Sequence, residues 1–253
     1  MNYKSTRVRV AALAGAALLA LSACGQGGGS GDGDGLVIGT LLPQTGSLAF
    51  LGPPEIAGVD LAIKEINEAG GVLGKDVKVE HADSSDADNA QVAQQSVTQL
   101  KSKGVHAIIG AASSAVTRNV VDDITNSKII QVSPANTATD LSGKHPFYFR
   151  TAPSDLLQGS ALGNLILGDG HVDVGVLVFN EDYGTSLRDV LKATVEDAGG
   201  TITYGNPGEE FDPQSSSFAD PVTAVLATNP DAIAIIAFDQ TKTIVPEVVS
   251  RDF

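Results

Sequence analysis

The chain has few of the residues that several functional classes require. A single cysteine, Cys24, leaves no partner for a disulfide within the chain. Four histidines (His81, His106, His145 and His171) lie too far apart for a local metal motif, and each reads as a surface or loop residue. No metal site and no cofactor are expected. No GxSxG elbow occurs, so an esterase-type nucleophile is missing. The Gly74-Lys75 pair fails as a phosphate loop, because Ala69 and Asp76 stand where Gly and Ser or Thr are needed. Basic residues are scarce, 16 against 30 acidic ones, for a net charge of −14. A nucleic-acid partner needs a basic patch for its phosphates, so that class is excluded. A long apolar run is lacking too. Val10–Leu21 has 12 residues, too short to span the ~30 Å hydrocarbon core as a helix.

What the N-terminus does have is ordered. Met1–Arg9 carries Lys4, Arg7 and Arg9 and no acid, and the apolar run and small residues follow. That order marks residues 1–23 as a secretory signal. An export signal with an incidental cysteine, or a lone buried thiol at Cys24, is the plainer alternative. Residues 24–35 contain no apolar residue after Cys24 and read as a flexible linker. Asp32 and Asp34 fall short of a cation loop, and no strand precedes the glycines to make a dinucleotide loop. Leu21-Ser22-Ala23-Cys24 resembles the lipobox of bacterial lipoproteins. The resemblance implies that Cys24 becomes the first residue and carries lipid, anchoring an extracytoplasmic body to a membrane.

From Leu36 onward short apolar runs alternate with helical patterns. Strands are expected at 36–42, 77–80, 105–109, 129–132, 147–149, 174–179, 201–204 and 232–238. Helices are expected at 54–68, 87–101, 116–125, 155–167, 184–198, 213–227 and from Thr241 onward. This alternation implies βαβ units on parallel sheets, an α/β class. Residues 36–253 exceed one typical domain, and the extended stretch near Arg150–Pro153 reads as a crossing between two lobes, 36–150 and 151–253.

Ligands of open parallel sheets bind beyond the carboxyl ends of the strands, so the loops there matter most. Ser113 and Ser114 follow one strand and open a helix, where a serine caps the helix or the free amides hold an anion. Ser133–Thr137 follows the next strand, Pro43–Gly52 the first, Glu181–Gly184 and Asp239-Gln240 two later ones. Hydroxyls, amides, a few carboxylates and aromatics suit a small polar zwitterion and offer no nucleophile–base pair. The chain is therefore not expected to be an enzyme, which disfavours a secreted hydrolase. A repressor is opposed by the export signal and the missing DNA-binding head.

Many short pieces occur in one order: Thr45-Gly46, Ala49, Gly52, Gly58, Leu61-Ala62, Ile66-Asn67, Gly70-Gly71, Ser113-Ser114, Ser133-Pro134-Ala135, Thr137, Phe149-Arg150-Thr151, Asp155, Gln158-Gly159, Tyr183-Gly184 and Pro230-Asp231. In that order they resemble the Leu/Ile/Val-binding protein family, the substrate-binding components of branched-chain amino-acid ABC transporters. The resemblance implies a type I periplasmic-binding fold of two lobes that close on a ligand, with permease subunits as partners. It implies that Ser114, or Ser113 if a gap shifts the match, holds the ligand carboxylate. Ala135 corresponds to a carbonyl that accepts from the amine, and Thr137 to a hydroxyl that contacts amine and carboxylate. Tyr183 and Phe238 correspond to aromatic contacts, Phe238 standing where Tyr is common. Leu51 falls where a larger aromatic often shapes specificity. Asp155 matches an acid that contacts the amine in some relatives, and a helix N-cap is its alternative reading. The family pattern continues past Phe253, so part of the second lobe is expected to be missing. A ligand-sensing module on the same scaffold is the alternative function.

Overall fold

The computed structural model describes residues 35–253. The expected export signal, the expected lipidation site Cys24 and all but the last residue of the expected linker lie outside the described residues. Gly35–Phe253 forms one compact unit. Among the described residues no helix is long and apolar enough to cross a membrane.

The first half alternates β1 (Val37–Leu42), α1 (Gly52–Glu68), β2 (Lys78–Asp83), α2 (Ala90–Ser102), β3 (Ala107–Gly110), α3 (Ser114–Asn126), β4 (Ile130–Ser133) and β5 (Tyr148–Arg150). These strands form one sheet in the order β2-β1-β3-β4-β5, every pairing parallel. The second half runs α4 (Asp155–Gly168), β6 (Asp173–Val178), α5 (Asp182–Asp197), β7 (Thr201–Tyr204), α6 (Ala219–Ala227), β8 (Ala232–Ile236) and α7 (Thr241–Val249). It builds a parallel sheet in the order β7-β6-β8. The expected α/β class with two parallel sheets is what the chain adopts.

Burial explains the runs. Central β6 is buried from Val174 to Val178, because helices cover both faces of a parallel sheet and no polar alternation survives. Edge strand β2 has a single buried residue, Ala82. In β1 and β3 the two faces differ. Val37, Leu41 and Ile108 join Ala93, Val97 and Leu100 of α2 and Val116, Val120 and Ile124 of α3 in one core. Ile38 and Ile109 turn the other way, into an apolar groove with Val59, Ile63 and Ile66 of α1. Only Gly52 of α1 is fully buried.

In the second half α4 lies against α5 at close range. A Cβ on Gly163 would stand 2.8 Å from Thr194 Cγ2, and one on Gly159 would stand 2.7 Å from Val190 Cβ. Only glycine lets the two helices approach this far. Beneath α5, Leu187, Leu191 and Val195 pack on β6 with Phe179, Phe211 and Phe218.

The helix expected over 213–227 begins only at Ala219. Short polar side chains hold the preceding segment in turns. Asp212 Oδ1 accepts from Gln214 N at 2.8 Å, and Ser215 Oγ donates to Ser217 O at 2.7 Å. Such bonds give the backbone partners that a helix would otherwise supply. The helix expected from Ala87 opens as one 3₁₀ turn, with α2 proper starting at Ala90. The second strand sits later than expected and runs to Asp83.

Candidate functional site

The carboxyl ends of the two sheets face a shared cavity of about 320 Å³. The loop after β1 contributes Leu48, Phe50 and Leu51. The turn after β3 contributes Ala112, Ser113 and Ser114, and the turn after β4 contributes Ala135, Asn136 and Thr137. From the second half come Gln158 of α4, Tyr183 after β6, and Ala237, Phe238 and Thr241 after β8. Seven of the eight expected ligand-binding residues thus line one cavity: Leu51, Ser113, Ser114, Ala135, Thr137, Tyr183 and Phe238. Asp155 does not. It lies behind the wall, fully buried at the start of α4, and its N–H donates to Thr137 O at 2.9 Å.

The two serines have different hydrogen-bond partners. Ser113 is the N-cap of α3 and accepts from Val116 N at 3.3 Å. Its hydroxyl donates to Glu181 Oε1 at 3.0 Å. A hydroxyl has one proton to give, so Ser113 has no donor left for a ligand. Ser114 Oγ accepts from Thr137 N at 3.3 Å and Ala138 N at 3.2 Å. Its proton goes to none of these, and it sits at the first residue of α3. The amides of a helix's first turn, together with the helix dipole, favour an anion there.

A buried polar lattice supports this rim. Ser133 Oγ donates to Ala111 O at 2.6 Å and accepts from Asn136 N at 3.1 Å. Asn136 Nδ2 donates to Thr117 Oγ1 at 2.7 Å, and Asn136 Oδ1 accepts from Tyr148 OH. Gln131 Nε2 donates to Gly110 O at 2.9 Å. Three atoms near the cavity, Thr137 Oγ1 and both carboxylate oxygens of Asp155, are buried without a hydrogen-bond partner. An unpartnered buried acceptor is costly, so a group that donates to it is favoured there.

The opposite wall is aromatic. The rings of Tyr183 and Phe238 stack at 5.5 Å and 6°. Phe179 stands edge-on beneath both, 4.8 Å from Phe238 and 6.1 Å from Tyr183. Gln158 Nε2 donates to Tyr183 OH at 3.0 Å. Burial pushes the Tyr183 phenol up, with the charge of Asp155 acting in the same direction, so it stays protonated. Burial also raises Glu181 to about 7, and the neighbouring Asp182 and Asp88 add to that.

Asn136, Gln158 and Glu181 were not among the expected site residues. Glu181 carried a signal, since it opens a strand-end loop. Asn136 sits between two residues that were singled out. Among the described residues no group of three or more His, Cys, Asp or Glu side chains is placed to hold a metal ion. The histidines have local partners away from the cavity. His106 Nδ1 accepts from Val37 N, and His81 lies between Thr40 and Asp60.

A family profile described as periplasmic binding protein matches residues 35–247. A chemotactic signal transduction system substrate-binding protein of Halobacterium salinarum is 27% identical over 237 residues, covering 86% of this chain and 54% of that protein. The leucine-, isoleucine-, valine-, threonine- and alanine-binding protein of Pseudomonas aeruginosa is 31% identical over 160 residues, covering 62% and 42%. Among solved structures, the branched-chain amino acid transporter substrate-binding protein LivJ of Streptococcus pneumoniae, in complex with isoleucine, gives a TM-score of 0.76 at 26% identity, covering 86% of this chain and 62% of that one. A solute-binding protein of an R. palustris ABC transporter, in complex with 4-hydroxybenzoate, gives 0.78 at 18% identity, covering 86% and 58%, a likeness of fold. The chain spans about half the length of the curated relatives it matches.

Proposed function

We propose a function that proceeds from the family: the chain belongs to the periplasmic binding protein family, and its cavity captures an amino acid, branched-chain by default, between two lobes spanning 36–150 and 151–253. The ligand carboxylate meets Ser114 and the first-turn amides of α3. Its amine meets Thr137 and the Ala135 carbonyl, with the buried Asp155 carboxylate behind the wall. Its side chain lies against Leu51, Tyr183 and Phe238. The observation that carries this reading is the pairing, in one cavity, of the first turn of α3 at Ser114 with the unpartnered Thr137 Oγ1 beside it. A zwitterion satisfies both at once. The cavity walls offer apolar surface for the remainder, and the relatives named for leucine, isoleucine and valine support that choice. No reacting pair of nucleophile and base lines the cavity, which supports binding without turnover.

On this reading the protein is the extracytoplasmic, lipid-anchored component of an ABC importer. Cys24 holds it to the membrane, and permease subunits recognise the closed form. The ligand touches both lobes only when they are together, so it selects that state. A thermal-shift series with the twenty amino acids, short amides and aromatic acids tests it. Leucine, isoleucine or valine should raise the midpoint dose-dependently, as a ligand of the folded state does. Ser114→Ala should lower the response at least tenfold in concentration, a loss of about 1.4 kcal/mol or more. A shift with 4-hydroxybenzoate alone would move the substrate class while keeping the cavity.

The halobacterial relative, named for chemotactic signalling, supports a second reading, in which the loaded protein reports to a membrane receptor. Deleting the gene separates the two. Loss of ligand uptake supports transport, and loss of taxis with uptake intact supports sensing.

A further inference from the structure

Glu181 lies outside the cavity wall and yet reaches across to it. It precedes α5 in extended backbone, and its Oε1 accepts from Ser113 at 3.0 Å, 68 residues away. Ser113 caps α3, the helix whose first turn forms the carboxylate end of the proposed site. Two further contacts join the same two helices or their neighbours. Arg118 of α3 grips Asp140 with Nε at 3.0 Å and also pairs with Asp182, the first residue of α5. Ser186 Oγ of α5 accepts from Thr139 N at 3.1 Å.

We propose that Glu181 is a positioning residue of the binding site: its protonated carboxyl clasps Ser113, holds the start of α5 against the first turn of α3, and makes closure of the cavity stronger in mild acid. The proposal rests on the two-lobed capture reading. Its physical basis is the setting of the carboxyl. Its second oxygen, Oε2, is buried with no hydrogen-bond partner. The ionisable groups around it are acids and a phenol. From its own helix come Asp182, which is committed to Arg118, and Tyr183. From the turn after β2 comes Asp88, which accepts from Gln214 Nε2, and Asp86 lines the same small recess. A buried negative charge among such neighbours is disfavoured, and its two donors, the Ser113 hydroxyl and the Tyr183 backbone amide, do not offset it. Consistent with this, burial pushes the carboxyl up from the usual 4.5 to about 7 in this structure.

The sign follows from linkage. Opening returns Glu181 to water and to its ordinary titration. Closure therefore takes up a proton between those two values. The stabilisation is complete below the lower one and is lost as pH rises through about 7.

The test uses the 253-residue chain with donor and acceptor dyes on azide-bearing residues introduced at Lys103 and Asp197, exposed ends of α2 and α5. Energy transfer without ligand should differ between pH 5.5 and pH 8.5. Glu181→Gln, neutral at every pH, should hold the acidic-form value at both. Ser113→Ala should give the open value at both. An unchanged transfer in the parent chain, or a pH response that survives in Glu181→Gln, overturns the proposal. A parallel titration with L-leucine should show affinity falling about tenfold from pH 5.5 to 8.5, and a flat profile in Glu181→Gln. If L-leucine binds at neither pH while the transfer response stands, the ligand reading fails and the clasp stands. If it binds with no pH dependence in affinity or transfer, the clasp fails and the ligand reading stands.

Discussion

Where the strands of the first sheet end, the buried polar side chains include Ser113, Ser114, Thr117, Ser133, Asn136 and Thr137. Where those of the second sheet end, the buried side chains include Phe179, Phe211 and Phe218, with Tyr183 and Phe238 packed on top. The two halves share one βα alternation and one strand-end rule, and they fill the resulting rims with opposite chemistry. The first half can then fix the charged ends of a ligand by direction, because hydrogen bonds are angular. The second presents area, which is non-directional and scales with what is buried. The shared cavity is lined by both kinds of surface.

The comparison breaks most sharply at Phe179. It is 1% exposed and touches Tyr183, Phe211 and Phe238. Phe179→Ala should lower unfolding free energy by about 3–5 kcal/mol, measured by chemical denaturation, and should loosen the aromatic wall. Gly163→Val tests the helix contact that sets α5 in place. Overpacking against Thr194 should cost about 1–3 kcal/mol, read from the same denaturation midpoint. On the polar side Thr117→Val keeps shape and removes the acceptor of Asn136 Nδ2. A loss of about 1–2 kcal/mol is expected, since a buried donor is left unpaired. A double variant with Phe179→Ala should be additive if the two halves are as separate as their chemistry.

The smallest effect belongs to Asp83, at the outer edge of the first sheet. Burial pushes its carboxyl up, and this is outweighed by donors from the Thr45 hydroxyl and the amides of Ser85, Gln44 and Thr45. The net result lies below the usual carboxylate range. A lowered folded value means that its stabilisation is present above the ordinary 3.8 and lost as pH falls through the folded value. Asp83→Asn should lower the neutral plateau slightly and flatten that acid limb, so that the variant and parent curves converge at low pH, checked by thermal unfolding between pH 2 and pH 7.

Much of this was legible along the chain. The runs at 36–42 and 174–179 announced buried parallel strands because strands covered on both faces have no polar alternation. The strand-end rule, which depends only on element order, points to the loops at Ser114, Thr137 and Tyr183, and the family resemblance implies roles for these residues and for Phe238. The segment 213–218 misled, because its spacing suits a helix while Asp212 and Ser215 bond the backbone locally. Glu181 was visible as a loop residue, and its role was not, since Ser113 lies 68 positions away.

The sequence by itself determined the alternation of elements, the two parallel sheets and which loops meet at the rim, because hydrophobic period and chain order are local properties. Only the tertiary structure decided which of two adjacent serines keeps a free proton, that Asp155 stands behind the cavity wall and that Glu181 spans the halves. Those outcomes depend on hydrogen-bond partners distant in sequence, and a hydroxyl's single proton can go to only one of them.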